Sequence, residues 1–198
     1  MLAAVNDRAV YALSERIVDE IDHRAVRAAE LLSNAGVAYA IIGGKAVQQW
    51  VASVDPDATR STKDVDVLVR RDRLPAVIAA LEAGGFEYHN VNGIDLFVDG
   101  PDGSVRNGVH LVFAGEKTLR DNPVAAPALA DRPPETDFEV IGLEDLVAMK
   151  LTSFRLKDRV HLIDLIDVGL VDATWVGRVP EPLRERLRQT LQDAEDER

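Results

Sequence analysis

The sequence contains no cysteine, so neither disulfide bonds nor thiolate metal sites can contribute to this protein. Basic residues are scarce as well: 23 Lys and Arg stand against 34 Asp and Glu, for a net charge of −11. This balance disfavours extended, non-specific binding to nucleic acid, which depends on neutralising phosphates. No uncharged run approaches the roughly 18 residues of a membrane span, and no basic segment leads into an apolar run at the start. We therefore expect a cytoplasmic protein without a signal peptide or membrane contact.

Hydrophobic residues make up 46% of the 198 positions, which is enough to build a sizeable core. Apolar spacing predicts an N-terminal helical segment within residues 1–36, a mixed sheet of four or five strands within 37–141, and a helical part over 142–198 that packs on the sheet. The order of these elements predicts an α+β fold. The expected strands are 37–42, 64–69, 86–91, 94–98, 105–113 and 138–141, and the expected helices include 45–52, 74–81, 158–170 and one that begins at residue 143.

A small-residue turn, Gly43-Gly44, separates the first expected strand from a short helix. Such a turn needs small residues for steric reasons alone. It can also place backbone N–H groups at a helix N-terminus so that they face a phosphate. Lys45, which follows directly, would favour an anion there. Both interpretations remain open for an isolated Gly-Gly pair.

Two aspartates, Asp64 and Asp66, alternate with valines in the next expected strand. Residues at i and i+2 of a strand point to the same face, so the two carboxylates would repel each other. A divalent cation would remove this repulsion, and we predict a metal site at the pair. The alternative is an edge strand protected by charge. Arg60 and Thr62 come just before and could bind phosphate or brace the loop.

Basic residues are concentrated after the sheet, around a junction between two expected helices. Lys150 lies on an otherwise apolar helical face, where it either extends its ammonium to the surface or directs it at a phosphate. Arg155, Lys157 and Asp158 follow at the junction. Asp158 could cap the next helix or orient a lysine, and the two basic residues could bind a nucleotide. His161 and Asp164 are expected to pair with each other along one helix face.

Taken together, these segments resemble the nucleotidyltransferase superfamily, which has the polymerase-β-like fold. The resemblance is carried by the Gly-Gly turn, the short helix, the Arg60-x-Thr62-x-Asp64-Val65-Asp66 segment and the later run from Met149 to Asp158. It covers roughly residues 37–170. Within the superfamily, the chain looks most like small bacterial toxins of the abortive-infection type, the AbiEii-like and MenT-like proteins.

The resemblance implies a fold, a substrate and a set of site residues. It implies transfer of a nucleotidyl group from a nucleoside triphosphate to an acceptor, which could be a tRNA, a protein or a small molecule, and a possible antitoxin-like partner. It implies Mg²⁺, with Mn²⁺ possible. The catalytic and metal-binding aspartates would be Asp64 and Asp66, and His110 would stand at the third ligand position. The nucleotide-binding residues would be Gly43, Gly44, Lys45, Arg60, Thr62, Lys150, Arg155, Lys157 and Asp158.

The third ligand position departs from the family pattern, which has a carboxylate there. His110 can ligate a divalent metal, but imidazole suits softer ions than Mg²⁺. Asp95 and Glu116 are alternative candidates if the strands are aligned differently. Two hypotheses therefore remain: a metal-dependent nucleotidyltransferase, and a catalytically impaired protein of the same fold that binds a nucleotide or a partner.

Overall fold

The computed structural model describes residues 23–62, 64–101 and 103–196, with Arg106 described by its backbone only. Within this part the elements are helix α1 (helical over 23–34), strand β1 (Tyr39–Ile42), helix α2 (Gly43–Ala52), strand β2 (Val65–Val69), helix α3 (Leu74–Ala83), strands β3 (Phe86–Val91), β4 (Ile94–Asp99) and β5 (Val109–Phe113), and helices α4 (Leu143–Ser153), α5 (Leu156–Asp167) and α6 (Arg184–Asp196). The part of the expected N-terminal helical segment before residue 23 lies outside the described residues.

The five strands form one mixed sheet in the order β1-β2-β5-β4-β3. β2 and β5 are parallel, and every other neighbouring pair is antiparallel. Alternate residues of each strand point to opposite faces of the sheet. Apolar residues from the helices pack against both faces. The expected α+β fold, with a mixed sheet flanked by helices and a helical C-terminal part, is confirmed.

Each face of the sheet has its own apolar core. Val65, Val67 and Val69 of β2 pack with α1 and α3 on one face. Leu68, from the same strand, packs with α2, α4, α5 and α6 on the other face. The C-terminal helices therefore share a core with the face of β2 that also carries Asp66.

Several predicted boundaries were wrong. Asp64 lies one residue before β2 rather than within it. The expected strand 105–113 is shortened to β5, because Val105–Asn107 forms a helical turn that closes with a hydrogen bond from Gly108 N to Val105 O. Residues 138–141 form a single bridge, Val140 to Ile41, instead of a strand.

The helices after the sheet also begin and end differently from the prediction. α5 runs over Leu156–Asp167 instead of 158–170. The break between α4 and α5 is at Phe154, which has a left-handed φ of 47°. A single residue in this conformation ends α4 and lets α5 start two residues later, so only a short joint separates the two helices.

Candidate active site

The turn between β1 and α2 brings backbone against the carboxylate of Asp66. Ile42, the last residue of β1, pairs with Asp66 of β2, and α2 begins at the next residue, Gly43. Gly43 has φ +70°, and a Cβ there would lie 2.1 Å from Asp66 Oδ2. A Cβ on Gly44 would lie 2.5 Å from Thr62 Oγ1. Both glycines are therefore required by close side-chain contacts, and the N-terminus of α2 lies beside Asp66.

Asp66 and His110 are neighbours across the parallel pair β2–β5. They are register partners, and His110 Nδ1 lies 3.9 Å from Asp66 Oδ1. Their side chains are 23% (His110) and 30% (Asp66) exposed, so both reach the surface of the sheet end. Burial raises the pKa of Asp66, and Asp64 adds to this, whereas His110, Lys150 and Lys157 act in the opposite direction. The predicted Asp66–His110 neighbourhood is present.

Asp64 contacts the helical part of the chain. Lys157 Nζ, on the first turn of α5, lies 3.5 Å from Asp64 Oδ2. Both side chains are exposed, at 52% for Lys157 and 37% for Asp64. An exposed pair of this kind contributes little stability. The contact instead shows that the start of α5 and the start of β2 face each other.

Lys150 of α4 is buried at the same joint. It is 5% exposed, and its Nζ donates to Asp158 Oδ1 at 3.3 Å. Nζ also lies 2.9 Å from His161 Nδ1. Burial lowers the pKa of Lys150, although the charges of Asp158 and Asp66 counteract it. The lysine is thus held by two side chains of α5.

Asp158 connects the residues of the joint. Its Oδ2 accepts hydrogen bonds from Ser153 Oγ at 2.7 Å, from Arg155 Nε at 2.8 Å and from the Arg155 backbone N–H at 3.2 Å. Burial acts to raise the pKa of Asp158, but these hydrogen bonds and the charge of Lys150 outweigh it and lower the pKa to about 2. Asp158 therefore caps α5 and also accepts a hydrogen bond from Lys150, and its part in nucleotide binding stays a prediction.

The expected pairing of His161 with Asp164 was wrong. His161 contacts Lys150, and Asp164 accepts a 2.7 Å hydrogen bond from Arg60 Nε. His161 and Asp164 of α5 thus each contact a side chain of another element rather than each other. The sequence contained one usable signal: Asp158 and His161 are three residues apart and so lie on the same helix face.

Lys45 is more enclosed than the sequence suggested. It is 2% exposed, its Nζ donates to Gln48 Oε1 at 2.9 Å, and burial lowers its pKa.

The two alternative third carboxylates lie away from Asp66. Asp95 is buried on the α1–α3 face and accepts from Tyr88 and Asn90. Glu116 lies beyond the far end of β5 and accepts from Arg71 at 2.6 Å and 2.7 Å.

The residues that share one electrostatic environment are the two aspartates of the predicted metal site, His110 and the basic side chains of the joint. Lys150 and Lys157 act on Asp66, and the charges of Asp66 and Asp64 both raise the pKa of Arg155. Within the described residues, no group of three or more His, Cys, Asp or Glu side chains is arranged to hold a metal ion. Two carboxylates and one imidazole thus lie near three basic side chains. We call these three, Lys150, Arg155 and Lys157, the cationic wall.

Comparison with known proteins gives no family assignment. No family model matches the chain, and no curated protein matches it. Among solved structures, the chain is similar to the solution structure of the antibiotic-resistance factor ANT(2'')-Ia, with 15% identity, a TM-score of 0.42, and coverage of 91% of this chain and 84% of that one. It is also similar to the crystal structure of ANT(2'')-Ia in complex with adenylyl-2''-tobramycin, with 16% identity, a TM-score of 0.47, and coverage of 86% and 96%. These values are too low to assign a family, so the class of this protein has to follow from its own residues.

In the described part of the chain, no helix has the length and apolar character needed to cross a bilayer.

Proposed function

We propose that this protein is a nucleotidyltransferase of the polymerase-β-like superfamily, which transfers a nucleotidyl group from a nucleoside triphosphate to an acceptor. The observation that supports this most directly is the contact between Asp66 and Gly43. It places a strand carboxylate against the backbone at the start of α2, where a Cβ would lie 2.1 Å from Oδ2. An anion-binding helix start beside a metal-binding carboxylate is the arrangement that a metal–triphosphate complex requires.

The cationic wall opposite Asp66 supplies the phosphate contacts of the proposal. Arg155 and Lys157 are exposed at the start of α5, and Lys150 is held below them by Asp158. Arg60, Thr62 and Lys45 complete the proposed nucleotide-binding set. The chain as a whole has a net charge of −11, so these basic side chains stand in an acidic protein.

In this proposal two carboxylates would hold one divalent cation of the Mg²⁺ type, since the described residues form no group of three or more such ligands. Mg²⁺ is commonly held by one or two carboxylates together with substrate phosphates and water, rather than by a cage made of protein alone. Asp64 and Asp66 would be those carboxylates, with His110 at the edge of the site, and Mn²⁺ would tolerate the imidazole better. When bound, such an ion neutralises phosphate charge and activates an attacking oxygen.

The residues of the chain itself would act mainly by positioning. The start of α2 and the wall formed by Lys150, Arg155 and Lys157 would hold the triphosphate from two sides. An acceptor hydroxyl would then approach in line with the leaving pyrophosphate. In phosphoryl-transfer chemistry, positioning and charge stabilisation provide most of the rate, so a site built this way would suffice.

A nucleotide- or partner-binding module is the second candidate, and His110 is the observation that favours it. This residue occupies the position beside Asp66 where a carboxylate is expected, and the described residues contain no third acidic group there. Such a protein would bind a triphosphate without transferring its nucleotidyl group.

Binding and transfer assays separate the two candidates. We expect isothermal titration to show binding of at least one ribonucleoside triphosphate that strengthens with Mg²⁺ or Mn²⁺. We also expect labelled nucleotide to be transferred to total RNA, total protein or a small-molecule acceptor mixture. Asp66→Ala should abolish transfer, whereas Asp72→Ala, an exposed aspartate paired with Arg70, should leave it unchanged. Binding without transfer, unaltered by His110→Asp, would favour the module. An absence of triphosphate binding would reject the enzyme and the nucleotide-binding module, and would leave only a partner-binding module.

The biological setting proposed from the family resemblance is that of a cytoplasmic toxin with an antitoxin-like partner. Expression of the wild-type chain in a bacterial host should then arrest growth, and expression of the Asp66→Ala variant should not. Equal growth of the two cultures would remove the toxin assignment but would leave the enzymatic one to the transfer assay.

A further inference from the structure

His161 makes a specific contact with the buried lysine of the site. Its Nδ1 lies 2.9 Å from Lys150 Nζ, and Asp158 Oδ1 accepts from the same Nζ at 3.3 Å. Lys150 and Asp158 are 5% and 1% exposed, so both contacts are shielded from water. A lysine ammonium has three N–H groups and no acceptor, and these two contacts account for two of the three.

The direction of the Lys150–His161 hydrogen bond follows from this chemistry. Because the ammonium can only donate, Nδ1 must be the unprotonated nitrogen, and the proton of the neutral ring lies on Nε2. The electrostatics agree: burial and the charge of Lys150 lower the pKa of His161 to about 4, so the ring is neutral at pH 7. The other charged groups that act on the ring are Asp158, Lys157 and Arg155.

The neutral imidazole of His161 can accept a hydrogen bond from Lys150 without adding a negative charge, which a carboxylate at this position could not do. Asp158 already supplies one negative charge to Lys150 and Arg155. A second carboxylate at position 161 would cancel more of the positive charge that a triphosphate needs. An imidazole nitrogen fixes the direction of the ammonium without removing any of its charge.

We infer that His161 is a positioning residue: together with Asp158 it orients the Lys150 ammonium so that the remaining N–H group can address a phosphate bound beside Asp66. This inference rests on the function proposed above. Lys150 lies within electrostatic range of Asp66, since each changes the pKa of the other.

Triphosphate binding in matched variants tests the inference. The probes are the four ribonucleoside triphosphates with Mg²⁺, titrated into wild type, His161→Leu, His161→Asn and His89→Leu. His161→Leu removes the acceptor and should weaken triphosphate binding about tenfold or more, as expected when a hydrogen bond to a charged group is lost. His161→Asn places an amide oxygen near the position of Nδ1 and should restore most of the affinity. His89, on the exposed strand β3, is the matched control and should have no effect.

A double-mutant cycle separates positioning from general support of the fold. In a Lys150→Met background, His161→Leu should no longer change triphosphate affinity, because the group through which it acts is gone. An equal effect with and without Lys150 would overturn the inference. So would an affinity in His161→Leu equal to that of wild type, since nucleotide binding would then be intact and only the role of His161 would fail.

A measurement without nucleotide keeps the inference separate from the proposed function. ¹⁵N NMR of the histidine rings in the wild-type protein should show His161 as the Nε2–H tautomer at pH 7. An Nδ1–H tautomer or a protonated ring at pH 7 would overturn the inference whatever the protein binds. If instead wild type binds none of the four triphosphates, the proposed function fails and the inference falls with it, even though the tautomer is as expected.

Discussion

Replacement of Gly43 by alanine tests the contact on which the site depends. The new Cβ would lie 2.1 Å from Asp66 Oδ2 and 2.9 Å from Asp66 Cγ, far inside van der Waals contact. Gly43 also has φ +70°, a conformation that alanine adopts only with strain. The variant therefore carries two separate costs, one in the backbone and one at the carboxylate.

A matched glycine allows the two costs to be separated. Gly115 has φ +74°, and a Cβ there would meet nothing within 4 Å. Gly115→Ala should therefore lower the free energy of unfolding through backbone strain alone, by about 1–2 kcal/mol. Gly43→Ala should lower the free energy of unfolding by the same amount and by about 1–3 kcal/mol more, because it displaces the Asp66 side chain. The difference between the two variants isolates the contact with the carboxylate.

Urea unfolding of both variants, followed by circular dichroism, measures this difference in the free energy of unfolding. Repeating Gly43→Ala in an Asp66→Ala background should remove most of the additional cost, because Oδ2 and Cγ are then absent. The contact would be refuted if Gly43→Ala and Gly115→Ala cost the same, or if the Asp66→Ala background made no difference. Folded Gly43→Ala protein should also lose metal-dependent nucleotide binding, since the carboxylate has moved.

Three further predictions concern the joint between α4 and α5. The pKa of His161 is lowered from 6.5 to about 4, so between these pH values the unfolded chain binds a proton that the folded chain does not. The free energy of unfolding should therefore fall by about 3 kcal/mol as the pH drops from 6.5 to 4. Urea titrations of His161→Asn should show a smaller dependence on pH. In Lys150→Met the pKa of His161 should rise, measured by NMR titration, because the nearby positive charge is gone; an unchanged value would contradict the contact. Asp158→Asn should lower the free energy of unfolding by about 3–5 kcal/mol, since it leaves Lys150 buried without its counter-charge, whereas Asp72→Asn on the surface should cost less than about 1 kcal/mol.

The sheet and the β2 site residue were predictable because their signals are local. Alternation of Asp66 with Val65 and Val67 fixed both the strand and the face of the carboxylate, and the turn at Gly43 followed from residue size. Asp64 was placed wrongly within the strand, because period-2 alternation continues one residue beyond the point where hydrogen bonding to a neighbouring strand begins. Strand ends are set by pairing partners, which the local pattern does not contain.

The arrangement around Lys150 was beyond local reasoning for a different reason. Its partners Asp158 and His161 lie on the next helix, and Phe154, in the joint between the two helices, has a left-handed conformation. Such a conformation is uncommon for a bulky residue, so the sequence predicts that two helices meet there but not the conformation of the residue between them. The pairing of Lys150 depends on how α5 packs with α4 in their shared core.

The C-terminal end of α4 is stabilised in part by contacts with α6. Arg186 of α6 donates from one nitrogen to the carbonyl oxygens of Leu151 and Thr152, at 2.7 Å and 2.8 Å. These are carbonyls that a helix cannot satisfy within itself. A guanidinium more than thirty positions downstream thus closes the turn that carries the buried lysine. Removing α6 would therefore disturb the position of Lys150 without changing any residue of the proposed site. We expect such a truncation to weaken ligand binding although α6 contributes no residue to the site.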